Sequence, residues 1–339
     1  MASSIWSQDA GLSLRSGAVL VVCTLLAFYL SDRFSEQQQM ELIMLTGAGV
    51  VALSILLAVV FPQYGIDHQL HEGAWQGLFT QKNVCAESTL FLLTPALTTT
   101  SMSRYGQVLR YGYISACLLI IVMSQSRTGW AMCLLYFAFV STLRLLRRVA
   151  RKDILKVAFV SFTVVGGVAI AIQEYPSVVL SLVSRAGNVS GRTQIWKAVT
   201  ESILRHPIGG YGFDAFWSLF YGEASHIFAA TGWVVTSAHN GFLNVTLELG
   251  IVGLVLVSGT FVAVFRHAAI AFAPGRSSYI EWCIGIVFLT LVYNLDERTL
   301  MATQYLPWIL YILACVGLKK ASRLVTNNTT FLAAEDETA

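Results

Sequence analysis

The chain has 339 residues, of which 55% are hydrophobic and only 12% are Asp, Glu, Lys or Arg. Soluble domains carry about 25% charged residues, and the net charge of +3 is too small to matter as a total, so a soluble globular enzyme, a disordered chain and a nucleic-acid binder are all excluded. At roughly 20 residues per crossing the length allows about eight to ten membrane helices plus one sizeable loop.

Taken in chain order, the apolar runs are 17–31, 42–61, 84–100, 108–124, 129–143, 155–172, 240–264, 279–294 and 304–318. They predict an all-α, polytopic membrane helix bundle of about nine transmembrane helices with one large loop. The first 16 residues are polar and unsignalled, so no cleavable leader is expected. The run at 84–100 is the weakest, because Glu87 stands near its start and Thr98, Thr99 and Thr100 end it. The expected division is N-terminal membrane helices over 1–172, a large loop with short helices over 173–239, three C-terminal membrane helices over 240–318 and a cytoplasmic tail over 319–339.

Orientation follows from basic residues in short loops. Arg144, Arg147, Arg148, Arg151, Lys152 and Lys156 form one block, and Lys319, Lys320 and Arg323 follow the last run. Both belong in the cytoplasm. Alternation then puts the segments 62–83, 124–128, 173–239 and 296–298 on the outer side, with the N-terminus outside as well.

The segment 173–239 is too long for an idle connection. Its Trp196, Tyr211, Phe213, Phe216, Trp217 and Phe220 need burial. Ile195, Val199 and Ile203 recur every four residues, which predicts a short amphipathic helix from Thr193 to Leu204. The small, polar tail 327–339 is expected to be disordered. The six cysteines lie in or near apolar runs without zinc-type spacing, and no metal site is expected.

Four polar clusters interrupt this pattern, all assigned to the outer side. One holds Lys82 and Asn83, before the third run. Another is Ser124-Gln125-Ser126-Arg127-Thr128-Gly129. The large loop carries Ser190-Gly191-Arg192-Thr193-Gln194-Ile195-Trp196 and, behind it, His206-Pro207 and Gly209-Gly210-Tyr211-Gly212-Phe213. The fourth, Ala238-His239-Asn240-Gly241-Phe242-Leu243, runs into the seventh helix. Arg127 is either a snorkelling interface residue or a functional cation; its outer location runs against the positive-inside bias and favours function. Arg192 is either one half of a surface salt bridge or a ligand for phosphate. Guanidinium groups grip phosphate bidentately. Asn240, Asn244 and Glu248 are spaced by four and fall on one helix face. An acid within a membrane helix costs on the order of 2.5–3.5 kcal/mol unless it faces protein or water, so this stripe is expected to face the bundle interior, with Glu248 structural and about two turns below the surface.

Ser-x-Ser-Arg at a helix start, Gly-Arg-Thr-x-Ile-Trp in the large loop, His-Pro-x-Gly-x-Gly-Phe, and Ala-His-Asn-x-Phe-Leu followed by Glu-x-Gly resemble the O-antigen ligase and polymerase superfamily (WaaL, Wzy and ExoQ-like proteins). Ser4-Ile5-Trp6-Ser7 together with Pro62-x-Tyr64-Gly65 is most similar to the exopolysaccharide polymerase branch. Members usually have about a dozen membrane helices, so the resemblance implies that this chain begins after the first few. Ala86 departs from the family's Lys-Asn motif, which continues to a glycine.

The resemblance implies a GT-C-like fold in the bacterial inner membrane and periplasmic glycosyl transfer without a cofactor. The donor would be an undecaprenyl-diphosphate-linked glycan. The acceptor glycan would be another lipid-linked repeat (polymerase) or lipid A-core (ligase), with a flippase and a chain-length regulator as partners. Arg127, Arg192 and Lys82 would clamp the diphosphate, since cations stabilise such a leaving group. His239 would serve as general base, because histidine as a residue type titrates near neutrality. Asn83, Asn240, Asn244 and Glu248 would support them. A transporter using the same polar stripe is the alternative from another class.

Overall fold

The structure, a computed structural model, describes residues 1–68, 71–99, 103–146, 190–217, 222–232, 235–272, 277–303 and 306–338. The run at 155–172, most of the basic block at 144–156, Phe220 and the start of the large loop lie outside these residues. The described chain is helical, apart from two-residue strands Ile66–Asp67 and Ala74–Trp75 paired antiparallel. The helices are α1 Ala10–Arg33, α2 Glu36–Val60, α3 Pro62–Gly65, α4 Lys82–Thr98, α5 Arg104–Met123, α6 Arg127–Leu146, α7 Ser190–Arg205, α8 Ala224–Thr231, α9 Gly241–Ala271, α10 Ser278–Tyr293 and α11 Leu306–Thr338. Of these, α1, α2, α5, α6 and α9 are long and apolar enough to cross a membrane, and α10 is a shorter apolar helix. The chain is a polytopic helical membrane protein.

Small residues set the helix contacts, as expected where lipid removes the hydrophobic drive between helices. α1 turns Ser13, Ser16, Gly17, Ala27 and Ser31 inward and packs along α11. α2 buries Gly47, whose added Cβ would lie 2.0 Å from the Tyr113 hydroxyl of α5. Large apolar side chains such as Leu45 (72% exposed) and Val262 (69% exposed) point outward, where lipid rather than water is the solvent that suits them.

α4 is the central element. It packs against α2, α5, α6, α10 and α11, and nearly every residue from Cys85 to Thr98 is buried. A helix surrounded by protein does not have to be lipid-compatible, so its Glu87, Ser88, Thr89, Thr94 and Thr98 are tolerated. Its apolar signal is weak because it is the innermost helix.

Two expectations are corrected. The tail expected to be disordered continues the helical backbone of α11 through Thr338. Lys320 on that helix reaches back to the Ser31 carbonyl (2.8 Å) and to Asp32 (2.7 Å). The large-loop helix starts at Ser190 rather than Thr193.

The large loop builds its own small core. Ile195 and Val199 of α7, Tyr211, Phe216, Ile227 of α8 and Leu247 of α9 are all buried together. The Tyr211 hydroxyl donates to the Ser202 carbonyl (3.0 Å), and the Trp196 indole to that of Ala238 (3.0 Å). This core is seated where α9 breaks. Gly250 takes φ 65 and ψ −165 inside that helix, a region open only to glycine. The freed α9 carbonyls of Leu247 and Glu248 accept from the Tyr211 (3.1 Å) and Gly212 (2.9 Å) amides. The Ile251 amide donates to the Pro207 carbonyl at 2.8 Å. These orphaned backbone groups at the break therefore find partners in the loop. A Cβ on Gly250 would lie 2.0 Å from the Ile208 carbonyl oxygen.

The N-terminal segment ties down the same loop. The Trp6 indole donates to the Gly209 carbonyl (2.9 Å), Ser13 to the Phe213 carbonyl (2.7 Å), and Ser16 to the Asp214 carboxylate (2.8 Å). The backbone amide of Gln8 bonds the Tyr211 carbonyl at 3.1 Å. These contacts fix Asp214, itself in a left-handed conformation at φ 58.

Candidate functional site

Local capping chemistry presents the polar residues at one end of the bundle. Ser126 accepts from the Gly129 amide (3.1 Å), which caps the start of α6 and places Arg127 in its first turn. Asn240 caps α9 by accepting from the Leu243 amide (3.0 Å), and its amide nitrogen donates to the Leu295 carbonyl (3.1 Å). His239, just before that cap, is held at φ 45, where histidine is more frequent than most residues. Gly241 is required by crowding, since a Cβ there would meet the Asn294 side-chain oxygen at 1.8 Å.

Buried Asn294 folds the loop after α10. Its side-chain oxygen accepts from the Thr299 (2.9 Å) and Leu300 (3.0 Å) amides, and its carbonyl accepts from Gly241 (2.8 Å). This hook carries Asp296, Glu297 and Arg298 into the site. Glu297 is the hub. Its carboxylate accepts from Asn83 Nδ2 (3.1 Å), pairs with the Arg192 guanidinium (2.9 Å), and lies 2.9 Å from His239 Nδ1. An ionised carboxylate only accepts, so Nδ1 carries the proton in this pair and Nε2 becomes the acceptor nitrogen of the ring. Asn83 also accepts from the Ser126 hydroxyl (2.9 Å). Asp296 pairs with Arg192 and accepts from Thr128. Burial works against the charge of Arg192, but Asp296 and Glu297 outweigh it and hold the guanidinium above its ordinary range.

A second network lies deeper. Asn244 Nδ2 donates to Glu248 (2.7 Å), and its oxygen accepts from the Trp217 indole (2.9 Å) and the Ala238 amide (3.2 Å). Arg298 bridges Glu248 (3.3 Å) and Asp214 (3.0 Å). Its charge, too, is held up by these two acids against the cost of burial. Arg298 Nε is buried and makes no hydrogen bond.

A cavity of about 210 Å³ opens between these networks, with Asn83, Glu87, Asp214, His239, Glu297 and Arg298 in its wall. Lys82, Arg127 and Arg192 are not part of that wall. Lys82, the first residue of α4, donates to the Gln125 carbonyl (3.3 Å) and is close enough to Arg127 for the two charges to repel. Arg127 is exposed and Lys82 half-buried.

The structure thus joins Asn83, Arg192 and His239 through Glu297 and puts Lys82 beside Arg127. It separates Asn240 from the expected stripe: Asn240 serves the helix cap, while Asn244 and Glu248 turn inward, 1% and 2% exposed. Glu248 stands just before a break in α9. Gly250 ends the first segment of α9 two residues later, and the 251–271 stretch alone covers about 31 Å at 1.5 Å per residue, enough to cross the bilayer core. Glu248 therefore stands at a break beside Arg298 rather than within that stretch.

Sequence reasoning missed Asp214, Asp296, Glu297 and Arg298 as site residues. One signal was available for the last three: three adjacent charges in a short loop between apolar runs, in a chain with 12% charge.

Comparison with known proteins gives two likenesses. Residues 112–258 match the family described as O-Antigen ligase (Wzy_C). The matched stretch includes Arg127, Arg192, His239, Asn240, Asn244 and Glu248. The chain is also 25% identical over 281 residues to "Exopolysaccharide production protein ExoQ" of Rhizobium meliloti (strain 1021), covering 77% of this chain and 61% of that protein. The chain therefore spans about three fifths of the length of this relative. Both likenesses support the resemblance to the O-antigen ligase/ExoQ-like superfamily.

Proposed function

We propose that this chain transfers a glycan from an undecaprenyl-diphosphate-linked donor to a sugar hydroxyl at the periplasmic face of the inner membrane, polymerising exopolysaccharide or O-antigen repeats. The observation that carries the reading is the contact of His239 Nδ1 with Glu297, at 2.9 Å, in the wall of a polar cavity. With Nδ1–H directed at the carboxylate, Nε2 accepts the proton of the attacking hydroxyl. The new bond forms between that oxygen and the anomeric carbon. The bond from the anomeric carbon to the diphosphate oxygen breaks, and undecaprenyl diphosphate leaves with its electron pair. Lys82 and Arg127 stabilise the charge of the leaving diphosphate. Arg192 contributes from the carboxylate side: it has five N–H donors, two of its nitrogens are anchored on Asp296 and Glu297, and its side chain keeps 31% of its surface. The arginines and the lysine supply leaving-group stabilisation in the manner of a cationic clamp.

The test is product formation by the full chain in reconstituted vesicles given a lipid-linked oligosaccharide. Chains lengthened in multiples of the repeat support polymerisation, and a single addition to lipid A-core points to ligation. Movement of the lipid-linked sugar across the vesicle membrane with no new glycosidic bond overturns the reading in favour of a transporter. For orientation, Gly222→Cys is expected to react with an impermeant thiol reagent in intact spheroplasts. Labelling only after lysis would reverse the topology.

A further inference from the structure

Resting on the transfer reading above, we infer that the cavity at His239 is the acceptor-sugar subsite, and that it takes an uncharged sugar ring and rejects an acidic one. The cations proposed for the diphosphate do not line it, whereas the proposed base does. A cavity that contains the base and lies apart from the leaving-group clamp is the place for the nucleophile, because the attacking hydroxyl must come within hydrogen-bond reach of Nε2.

The chemistry of the wall selects the ligand class. Among the described lining residues only Val84 and Ala302 contribute apolar side chains, which does not suit a lipid chain. Gln81, Asn83, Ser237 and Thr303 offer amides and hydroxyls that both donate and accept, the partners suited to ring hydroxyls. The volume of about 210 Å³ is below that of pockets for drug-sized ligands and leaves room for one ring.

Charge then decides between neutral and acidic sugars. Among the described residues Glu87, Asp214 and Glu297 line the cavity against one arginine, Arg298. Arg298 is already shared by Asp214 and Glu248, and Arg192 behind the wall by Asp296 and Glu297. Even with Glu87 left out, the described wall carries two acids, Asp214 and Glu297, against Arg298. A uronic acid carboxylate would add another negative charge to an acid-rich space, and such like-charge contacts are disfavoured.

The experiment uses the full chain in vesicles with matched alkyl glycosides: octyl glucoside against octyl glucuronide, and octyl galactoside against octyl galacturonide. Transfer is measured from a lipid-linked donor. In parallel, a photoactivatable octyl glucoside is cross-linked and its attachment mapped by mass spectrometry. The expected result is a preference of roughly tenfold or more for the neutral member of a pair, equivalent to about 1.4 kcal/mol. Cross-links should fall within 81–87, 236–239 or 297–303 and compete with the neutral glycoside but not the acid. Glu87→Gln should narrow the preference. Mapped, acid-insensitive cross-linking without transfer would sustain the subsite and overturn the transferase reading. Equal use of both members, competition by the acid, or no cross-linking in those segments would overturn the subsite.

Discussion

The cavity wall differs in charge from the rim formed by the starts of α4 and α6, which carry Lys82 and Arg127 outside that wall. Inside, the buried Glu87 and Glu297 stand with Asp214 and Arg298. On the rim, exposed Arg127 and half-buried Lys82 are close enough to repel one another. Under the proposed transfer, the difference would keep two polar substrates apart on one scaffold. Buried charges are tolerated when paired and hydrogen-bonded, so the inner acids come as networks with Arg192, Arg298, Asn83 and Asn244. Two cations placed side by side nearer the surface favour a multiply charged anion, which relieves their repulsion. Glu297 lies on the boundary, with Arg192 on one side and His239 on the other.

The largest expected effect tests the cavity side. His239→Ala should lower the rate of transfer by about 10²–10⁴-fold, the usual contribution of a general base, while expression and membrane insertion stay normal. His239→Gln should be milder, since it keeps hydrogen bonding without titration. Rates on a lipid-linked donor decide it. Full activity in His239→Ala would leave the cavity without its reacting end and move the chemistry to the rim.

On the rim side, Arg127→Lys and Arg192→Lys both keep the charge and lose the planar fork. A hydrogen bond to a charged group is worth about 1.5–3 kcal/mol, so each should slow transfer roughly ten- to hundredfold. The two should differ in kind. Arg127→Lys is expected to raise KM for the donor. Arg192→Lys also loosens Asp296 and Glu297, so it should lower kcat as well. Wild-type rates in both variants would remove the clamp.

Much of this architecture is legible in sequence, but not its centre. Apolar runs locate eight of the described helices because a lipid-facing segment has to be apolar along its length. α4 reads as the weakest run because hydropathy measures compatibility with lipid, and α4 touches mostly protein. Lys82, Arg127, Arg192 and His239 stand out because charge and imidazole are scarce in this chain. Their hub does not, because Glu297 meets His239 across 58 residues and Arg192 across 105. That meeting depends on the Asn294 hook, whose hydrogen bonds have no sequence period. The Gly250 break is hidden for another reason. A single glycine in an apolar helix is commonplace, and only its φ of 65 separates this one from the rest.

Gly250→Ala tests whether the loop behind the cavity needs the break in α9. A Cβ there meets the Ile208 carbonyl oxygen at 2.0 Å and requires a backbone conformation that alanine disfavours. Alanine at a positive-φ glycine destabilises by more than about 1 kcal/mol. The unfolding temperature in detergent should fall, and the loop core of Ile195, Tyr211 and Phe216 should become more accessible to protease. A variant as stable as the parent would mean that the loop and α9 are not locked together here.

The smallest effect comes from the strap that holds the cavity wall at a distance from the chemistry. Ser16 donates one 2.8 Å hydrogen bond to the Asp214 carboxylate, whose other oxygen is held by Arg298 at 3.0 Å. In Ser16→Ala the Arg298 pairing survives, and a cavity the size of one hydroxyl is left. A typical hydrogen bond contributes about 0.5–1.5 kcal/mol net, and the remaining ties from Trp6, Gln8 and Ser13 to residues 209–216 limit any shift of the loop. The expected outcome is a slightly lower unfolding temperature and a transfer rate within about twofold of the parent, in line with the modest effect of losing one of several ties. Loss on the scale of His239→Ala would show that Asp214 is poised by Ser16 alone, and would make the N-terminal strap, rather than the His239–Glu297 pair, the element that separates cavity from rim.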